Sequence, residues 1–309
     1  MNKNPKPWRI ALPALGFAVI GALWSGFWYW SQTNAHQRVD QWRAELAAKD
    51  IKFQCGQETW GGFPFRIEVR CSPGHIEKNG EGITFTELTI MAQIYNPKHV
   101  LAVNDGQTIL ATKQGAHIFT HEGAIGSLIL TENGHLQADV SFTKLASEHL
   151  TATSFELHSR KRNEVMEIAA SITEARLYDH DIDAEIIGAI SPMPSGMRLS
   201  DFAAVQSKLT IDHLRMGLDG AEFNGNGNAS LLQDGKPDAR LSGRIQNLQA
   251  IIEKLLDARL LQPDQAQGAQ FLFGLMGANS EKGMKIDLVA RDGWLWLGPL
   301  KVTKIDPLF

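Results

Sequence analysis

The spacing of hydrophobic and polar positions changes twice along the chain and predicts three successive kinds of structure. A continuous apolar run without a charged residue begins at Ile10 and ends at Trp30. In residues 31–50, apolar residues recur at helical spacing between charged ones, which predicts an amphipathic helix that continues from the apolar run. This helix is predicted to pack on the domain that follows, and the alternative is that it lies on the bilayer surface or pairs with a second copy. Beyond residue 50 the apolar positions form short runs of Ile, Val, Thr and Phe, which predict strands.

The apolar run of residues 10–30 predicts one transmembrane helix. At a rise of about 1.5 Å per residue, about 20 helical residues match a hydrocarbon core of roughly 30 Å. Aromatic rings that prefer the headgroup level mark both ends of the run: Trp8 at one end and Trp24, Trp28, Tyr29 and Trp30 at the other. The alternative is a cleaved signal peptide, whose apolar region is usually only about 7 to 15 residues long. A retained signal-anchor is therefore the prediction, and cleavage stays open.

Charges on the two sides of the run predict its orientation. Lys3, Lys6 and Arg9 precede it, whereas Arg38 is the first Lys or Arg after it. Because the cytoplasmic flanks of membrane helices are enriched in Lys and Arg, residues 1–9 are predicted to lie in the cytoplasm. The chain would then be a single-pass protein of the bacterial inner membrane, with the bulk of its residues in the periplasm.

Turn-forming dipeptides separate the predicted strands. Asn-Gly and Asp-Gly pairs supply the positive φ angles of tight hairpins, and six of those after the amphipathic helix predict turns: Asn79-Gly80, Asp105-Gly106, Asn133-Gly134, Asp219-Gly220, Asp234-Gly235 and Asp292-Gly293. Residues 135–144 alternate apolar and polar side chains, as a strand buried on one face does, and residues 151–160 and 208–217 behave similarly. The pattern predicts a mainly β fold (α+β) built on a large, curved antiparallel sheet.

A few helices are predicted to pack on this sheet. Residues 199–205 follow two prolines and form a short helical pattern, with Ser200 as its predicted N-cap. Residues 248–261 and 265–276 place apolar side chains on one helical face and predict a helix pair near the C-terminus.

The order of these elements predicts the domain organisation. Strands return at residues 284–290 and 294–297, after the helix pair. Residues 51–309 are predicted to form one periplasmic β-rich domain, which continues from the amphipathic helix of residues 31–50. The alternative is a division near residues 191–197, where Pro, Ser and Gly cluster.

Charge and cysteine content narrow the class of protein. The net charge is −4, with both signs interspersed, which argues against a nucleic-acid partner. The two cysteines, Cys55 and Cys71, follow the anchor and would lie in a compartment that permits disulfides. A bond between them would close a loop and, in the chain-entropy model, stabilise the folded state by about 3 kcal/mol. A disulfide is the prediction, and two free buried thiols are the alternative.

The sequence offers little chemistry for catalysis or metal binding. It contains no G-x-S-x-G motif and no G-x-G-x-x-G motif that opens a helix. His117 and His121 fall in a predicted strand, where a spacing of four residues is about 13 Å and too long for one ion. We therefore predict no cofactor, no metal and no catalytic residue. Paired carboxylates can meet in space without a sequence signal, so an envelope hydrolase stays an alternative.

The segment between the cysteines carries a resemblance. Cys55, the sequence Trp60-Gly-Gly-Phe-Pro-Phe-Arg66 and then Cys71, downstream of a single N-terminal anchor, resemble an alphaproteobacterial family of envelope proteins called domain of unknown function 2125. The Trp294-Leu295 strand and the closing Pro307-Leu308 are also similar. The resemblance implies a location and a fold type, and no functional residue transfers with it.

These observations favour a binding or scaffold protein of the cell envelope whose β groove holds a lipid or acyl chain. The candidate ligand-binding residues are the aromatic ones in the cysteine-bounded segment and the last hairpin: Trp60, Phe63, Phe65, Trp294 and Trp296. Residues 60–66 are interpreted as a tight turn plugged into a core, with a binding loop as the alternative. The expected partners are the membrane and a lipid or envelope protein. A structural module that pairs through sheet edges is the third hypothesis.

Overall fold

The computed structural model describes residues 8–113, 115–131, 136–196, 198–247 and 283–309, together with the single residues 250, 253, 256 and 267. The chain forms two compact units, Met1–Phe119 and Thr120–Phe309. In both units the strands pair antiparallel with their neighbours in sequence, as short turns between consecutive strands require. The predicted mainly β fold is confirmed, while the predicted domain limits stay predictions.

The first unit contains one long helix and the first strands. Its elements are α1 (Trp8–Ala47), β1 (Ile51–Gly61), β2 (Arg66–Lys78), β3 (Glu81–Gln93) and β4 (Asn96–Thr112), with β5 (Gly115–Thr120) at its boundary. Strands β1 to β4 pair in sequence order. The first unit is thus a helix followed by an antiparallel meander that begins with β1 to β4.

The second unit is a longer antiparallel meander. Its elements are β6 (Gly123–Leu130), β7 (Leu136–Ala146), β8 (Leu150–Arg162), β9 (Val165–Leu177), β10 (His180–Ser191), α2 (Leu199–Ala204), β11 (Lys208–Leu218), β12 (Ala221–Leu231), β13 (Pro237–Gln246), β14 (Met284–Arg291), β15 (Trp294–Leu297) and β16 (Leu300–Lys304). Each of these strands pairs with the next one along the chain. The strands predicted at residues 135–144, 151–160, 208–217, 284–290 and 294–297 are confirmed.

Helix α1 is a single 40-residue element. At about 1.5 Å per residue it is about 60 Å long, roughly twice the hydrocarbon thickness of a bilayer. In the described part of the chain it is the one helix long and apolar enough to cross a membrane, and its most apolar stretch is exposed. A core helix of a soluble protein would bury that stretch, so the exposure argues against one, whereas a signal sequence near the N-terminus would share it.

The turn predictions hold at four of the described dipeptides and fail at one. The pairs Asn79-Gly80, Asp219-Gly220, Asp234-Gly235 and Asp292-Gly293 lie between paired strands. Asp105-Gly106 lies inside β4, where the register with β3 shifts and Thr86 faces two residues. Gly106 adopts φ +95°, so its conformational freedom serves a β-bulge instead of a hairpin turn. Asn133-Gly134 lies outside the described residues.

The helix predicted at residues 199–205 is confirmed as α2, but its predicted cap is wrong. The N-cap position is Arg198, and Ser200 lies inside the helix. The Asp201 carboxylate accepts a hydrogen bond from the Arg198 backbone N–H at 3.0 Å, which satisfies a donor at the helix start. The helix pair predicted at residues 248–261 and 265–276 falls outside the described ranges.

The predicted disulfide is geometrically available. Cys55 lies on β1 and Cys71 on β2, and their Cα atoms are 5.4 Å apart, inside the range that a disulfide requires. Cys71 is buried, whereas the strand register places Glu58 opposite it. The segment between the cysteines is therefore the β1–β2 hairpin itself.

The core of the second unit lies on its last long strands. The buried cluster consists of residues from β11 to β14: Ile211, Leu214, Phe223, Ile245, Met284 and Ile286. Two glycines, Gly225 on β12 and Gly243 on β13, face each other beside this cluster. A Cβ atom at either position would lie within 2.8 Å of the Phe223 Cζ atom, so the ring packs directly on the bare backbone.

We expect Gly243→Ala to lower the free energy of unfolding by about 1–3 kcal/mol, because overpacking forces the ring and the backbone apart. The new Cβ would meet the Asn224 carbonyl oxygen at 2.3 Å. Gly217→Ala is the matched control, since its Cβ would meet Asp183 at an ordinary 3.5 Å. Denaturant unfolding of both variants measures the difference, and equal midpoints would contradict the packing of Phe223 on Gly243.

Candidate functional site: an apolar groove beside the first helix

Helix α1 packs along the β1–β2 hairpin through aromatic side chains. The Trp28 ring meets Phe63 edge-on with 5.4 Å between centroids, and Trp24 meets Phe65 at 6.0 Å. Further along the helix, His36 stacks on Trp60 with centroids 3.5 Å apart. Aromatic pairs at these distances each add about 0.5–1.5 kcal/mol beyond area burial. The C-terminal half of α1 is therefore part of the first unit's fold.

Two hydrogen bonds fix the hairpin turn to the helix. The Trp24 indole N–H donates to the Pro64 carbonyl at 2.9 Å, and the Trp28 indole N–H donates to the Arg66 carbonyl at 2.9 Å. The turn can approach because Gly62 adopts φ +99°, and a Cβ there would lie 2.6 Å from the Arg66 carbonyl oxygen. Of the two adjacent glycines seen in the sequence, Gly62 is thus the one that the backbone geometry requires.

A charged network joins helix and hairpin at a second point. Arg43 of α1 forms an ion pair with Glu58 of β1, and the Trp60 indole N–H donates to Glu58 at 2.6 Å. Burial raises the pKa of the Glu58 carboxyl, but the hydrogen bonds from Trp60 and Arg43 favour the charged form and lower the pKa below its ordinary value overall. Arg43 also lies over the Phe53 ring, 5.4 Å from its centroid.

Between these contacts the helix and the sheet leave an apolar groove of about 420 Å³. Directly opposed residues of antiparallel strands point to the same face, so the register defines the floor. One row runs across three strands through Trp60, Val69 and Ile90, and a second row runs through Ile67, Ala92 and Val100. All six side chains are apolar except for the Trp60 indole N–H, whose hydrogen bond is already made to Glu58.

The wall of the groove is one side of α1. Its lining includes Phe27, Trp30, Ala35, Arg38 and Val39. At about 1.5 Å per residue, Phe27 and Val39 are separated by about 18 Å along the helix axis, slightly more than one leaflet of hydrocarbon, about 15 Å. The volume and apolar lining are those of a small-molecule site with few polar groups.

Arg38 is the one charged side chain among the residues that line the groove. It is exposed, and among the described residues no carboxylate forms an ion pair with it. A guanidinium presents donors in a planar fork that suits carboxylate and phosphate groups. The groove therefore combines an apolar channel with one unpaired cation toward the end away from the apolar run.

The sequence-predicted residues of the cysteine-bounded segment fall in two places. Trp60 lines the groove. Phe63 and Phe65 lie in the hairpin turn and are 58% and 60% exposed. The interpretation of a tight turn plugged into a core is thus wrong for these two rings, because the first unit covers them only with Trp24 and Trp28 and leaves their outer faces free.

Trp294 and Trp296 lie in the second unit, on β15. The Lys301 ammonium lies 3.4 Å from the Trp294 ring centroid and 5.7 Å from that of Trp296, and the Arg291 guanidinium lies 5.4 Å from Trp296. These cation–π contacts come from the chain itself and stabilise the last strands. A ligand-binding role for the two tryptophans stays a prediction.

The groove wall is what sequence reasoning missed. The spacing of Ala35 and Val39 predicted that this side of the helix packs on the domain, but not that the packing is incomplete. In the sequence, Arg38 was interpreted only as the first positive charge after the apolar run, which indicates the orientation of the membrane helix. The signal that could have found it is a single Arg between apolar positions that otherwise face the sheet.

The second unit has a separate cleft of about 390 Å³, which bears on the hydrolase hypothesis. His158 Nδ1 lies 2.9 Å from Asp139, and its Nε2 faces Glu156 at 3.6 Å. The hydrogen bond with Asp139 is the main reason that the pKa of His158 lies above its ordinary value. In a catalytic triad, one histidine nitrogen contacts a carboxylate and the other contacts the hydroxyl or thiol that it activates. In His158 both nitrogens face carboxylates, so neither contacts a nucleophile.

Among the described residues, no group of three or more His, Cys, Asp or Glu side chains could hold a metal ion. His117 and His121 occupy β5 and the residue after it, so the predicted extended spacing of these two histidines is confirmed. The absence of a cofactor or metal from this protein stays a prediction.

We expect Glu58→Gln to lower the free energy of unfolding by about 1–2 kcal/mol at pH 7, because it removes the charge from two hydrogen bonds. Since folding lowers the pKa of Glu58, this stabilisation is fully present above the unfolded-state value of about 4.3 and is lost as pH falls through the folded-state value. Urea unfolding of the full chain in detergent, followed by tryptophan fluorescence, measures the loss at pH 7 and pH 3.

Glu122→Gln is the control for this measurement. Its ion pair with Lys144 spans 2.8 Å, but both side chains are 64% exposed, so we expect a change below about 0.5 kcal/mol. Equal effects of the two substitutions, or an effect of Glu58→Gln that does not fall with pH, would show that the Arg43–Glu58–Trp60 network does not hold the helix.

Comparison with known proteins gives a family and no close relative. No curated protein and no solved structure matches the chain. One family does match, over residues 28–306. The match begins at Trp28, whose indole N–H is hydrogen-bonded to the Arg66 carbonyl beside the hairpin turn. The matched residues are nearly the whole chain after the apolar run, so the chain belongs to the family described as "Uncharacterized protein conserved in bacteria (DUF2125)".

Proposed function

We propose that this protein is a single-pass inner-membrane protein whose periplasmic part binds an acyl chain of a membrane phospholipid in the apolar groove. Residues 10–30 cross the bilayer, and residues 1–9, with their three cations, stay in the cytoplasm. The observation that carries the proposal is that the groove wall and the apolar run are parts of one continuous helix.

Continuity of α1 supports a position of the groove next to lipid. Phe27 and Trp30 belong both to the apolar run and to the groove lining, so one end of the groove opens at the level where the run ends. An acyl chain that leaves the outer leaflet can enter there without passing through bulk water. The length of the wall, about 18 Å, suits a chain whose natural span is about 15 Å in one leaflet.

The floor of the groove favours an apolar ligand over water. The two rows of the floor offer no free hydrogen-bond donor or acceptor from a side chain, and a water molecule inside a site needs two to four polar partners. Displacing such water with hydrocarbon is favourable by about 25 cal/mol per Å² of apolar area buried. The polar lining residues Ser31, Asn34, Arg38 and Gln93 lie outside these two rows.

Retention of the anchor fits the same geometry. Cleavage after the apolar run would remove Trp24 and Trp28, and with them two hydrogen bonds and two ring contacts to the hairpin turn. It would also remove Phe27 and Trp30 from the groove wall. A signal peptide does not normally take part in the fold of the mature protein, so these contacts support an uncleaved helix.

Binding is preferred to catalysis because the described residues that line the groove include no pair of titratable groups. Arg38 is its only charged lining residue, and an arginine stays protonated under all ordinary conditions. The cleft around His158 is the alternative site for a hydrolase, and it lacks an activated nucleophile on the histidine. We place the protein among lipid-binding or scaffold components of the envelope.

We expect Ala35→Phe to abolish bound lipid, because the new ring would fill the groove between helix and floor. Ala44→Phe is the matched control, since Ala44 lies on the same helix, is exposed and does not line the groove. Mass spectrometry of lipids that co-purify with the full chain in mild detergent would show about one phospholipid per chain for the control and severalfold less for Ala35→Phe. Equal lipid in both would mean that the lipid is annular and that the groove does not bind it.

We expect Arg38→Gln to reduce the preference for anionic over zwitterionic phospholipid by roughly tenfold, the factor that corresponds to one charge-assisted hydrogen bond. Lys49→Gln removes a positive charge from the same unit outside the groove and serves as the control. Competition between lipids of the two headgroup classes, read by the same mass spectrometry, gives the ratio. A ratio unchanged by Arg38→Gln would exclude Arg38 from headgroup binding.

A further inference from the structure

Two hairpin turns lie side by side at one end of the first unit. The β1–β2 turn (residues 62–65) and the β3–β4 turn (residues 94–95) are joined by a hydrogen bond from the Ile94 N–H to the Phe65 carbonyl at 3.2 Å. Three of their aromatic side chains are more than half exposed, with exposures of 58% for Phe63, 60% for Phe65 and 66% for Tyr95. We call residues 62–65 and 94–95 the paired tips.

The opposite end of the same unit is polar. There the chain turns from α1 into β1 at Lys49 and Asp50, and from β2 into β3 at Asn79 and Gly80, all of them exposed. Scattered exposed apolar residues are normal on protein surfaces, whereas an apolar cluster confined to one end marks a contact. Aromatic exposure in the strand turns of this unit is therefore concentrated at the paired tips, while Trp42 of α1, 42% exposed, packs on Phe53 near the polar end.

Helix α1 fixes where this end lies. The turn of residues 62–65 is hydrogen-bonded to Trp24 and packs on Trp28, and both belong to the apolar run that ends at Trp30. Trp24 precedes Trp30 by about 9 Å along the helix axis. The paired tips therefore lie beside the last turns of the apolar run and not beside the amphipathic part of the helix.

We infer that the paired tips insert Phe63, Phe65 and Tyr95 into the headgroup–acyl boundary of the leaflet from which α1 emerges, so that the protein contacts the bilayer at a second site. This inference rests on the proposed membrane anchorage. The tyrosine ring, which has a polar end, settles at that boundary, and the phenylalanine rings add apolar area of the kind that membrane-bound faces present. The exposed cation Lys98 lies next to the tips and suits a headgroup layer that contains anionic lipid, whereas Arg66 is already ion-paired with Glu68.

A second contact would also orient the groove. Ile94 belongs to the tips and lines the groove, and Pro97, Phe27 and Trp30 line it nearby. With one contact, a helix leaves the attached unit free to tilt on the membrane. With the tips inserted, the end of the groove is held at the leaflet surface, where an acyl chain can enter it.

The test places an environment-sensitive fluorophore at position 95 by Tyr95→Cys in the full chain, reconstituted into vesicles that contain shallow spin-labelled phospholipid. Asn79→Cys, at the polar end of the same unit, is the matched control. We expect blue-shifted emission and at least threefold stronger quenching at position 95. Water-like emission at both positions would overturn the inference, and blue-shifted emission without quenching would overturn it in favour of a protein contact.

A third probe separates this inference from the anchorage on which it rests. Phe17→Cys lies inside the apolar run and is exposed to the surroundings of the helix. Position 17 lies about 10 Å from the nearer end of the run, so its quenching is measured in vesicles whose phospholipid carries the spin label deep in the acyl chain. Quenching at position 17 without quenching at position 95 would overturn the second contact alone. No quenching at position 17 would overturn the anchorage, and the inserted tips with it.

The double substitution Phe63→Ser and Phe65→Ser, combined with the probe at position 95, tests the aromatic mechanism. We expect emission to shift toward that in water and quenching to fall severalfold, because serine gains nothing at the lipid boundary. Phe27 and Trp30 are left in place, so the anchor and the groove wall keep their side chains. Unchanged quenching would show that these rings do not hold the tips in the membrane.

Discussion

The packing of α1 against the β1–β2 hairpin is the interaction on which the rest of the first unit depends. A helix of about 60 Å cannot be accommodated by a bilayer alone, and here its second half is held by ring contacts, two indole hydrogen bonds and a charged network. These contacts stand at separate points along the helix. Because they hold the second half of the helix at separate points and leave space between them, they create a groove instead of a closed core.

Antiparallel register gives that groove its chemistry. Opposed residues on neighbouring strands share a face, so Trp60, Val69 and Ile90 form one continuous apolar row, and a second row lies beside it. A single slip of one residue in β2 would turn Val69 to the opposite face and bring Glu68 or Arg70 into the groove. The Cys55–Cys71 proximity and the Gly62 turn both fix this register.

Strand positions and most turns were predictable because their signals are local. Alternation along β7, β8 and β11 and the dipeptides at residues 79–80 and 219–220 involve only neighbours in the chain. The turn predicted at Asp105-Gly106 was wrong because a positive φ serves a hairpin turn or a β-bulge equally well, and pairing with the partner strand decides between them. The predicted burial of Phe63 and Phe65 was wrong because burial depends on which residues cover a ring. The covering residues, Trp24 and Trp28, are far away in sequence.

The sequence by itself determined the apolar helix, the antiparallel β class, the family and the two cysteines that meet, since composition, periodicity and short motifs carry those properties. Only the tertiary structure decided that α1 lies along the first hairpin, that a groove remains between them, that Arg38 reaches it unpaired, and that aromatic rings gather at one end of the unit. Those features depend on contacts between residues up to about 70 positions apart, and side-chain shape sets how completely such contacts fill space.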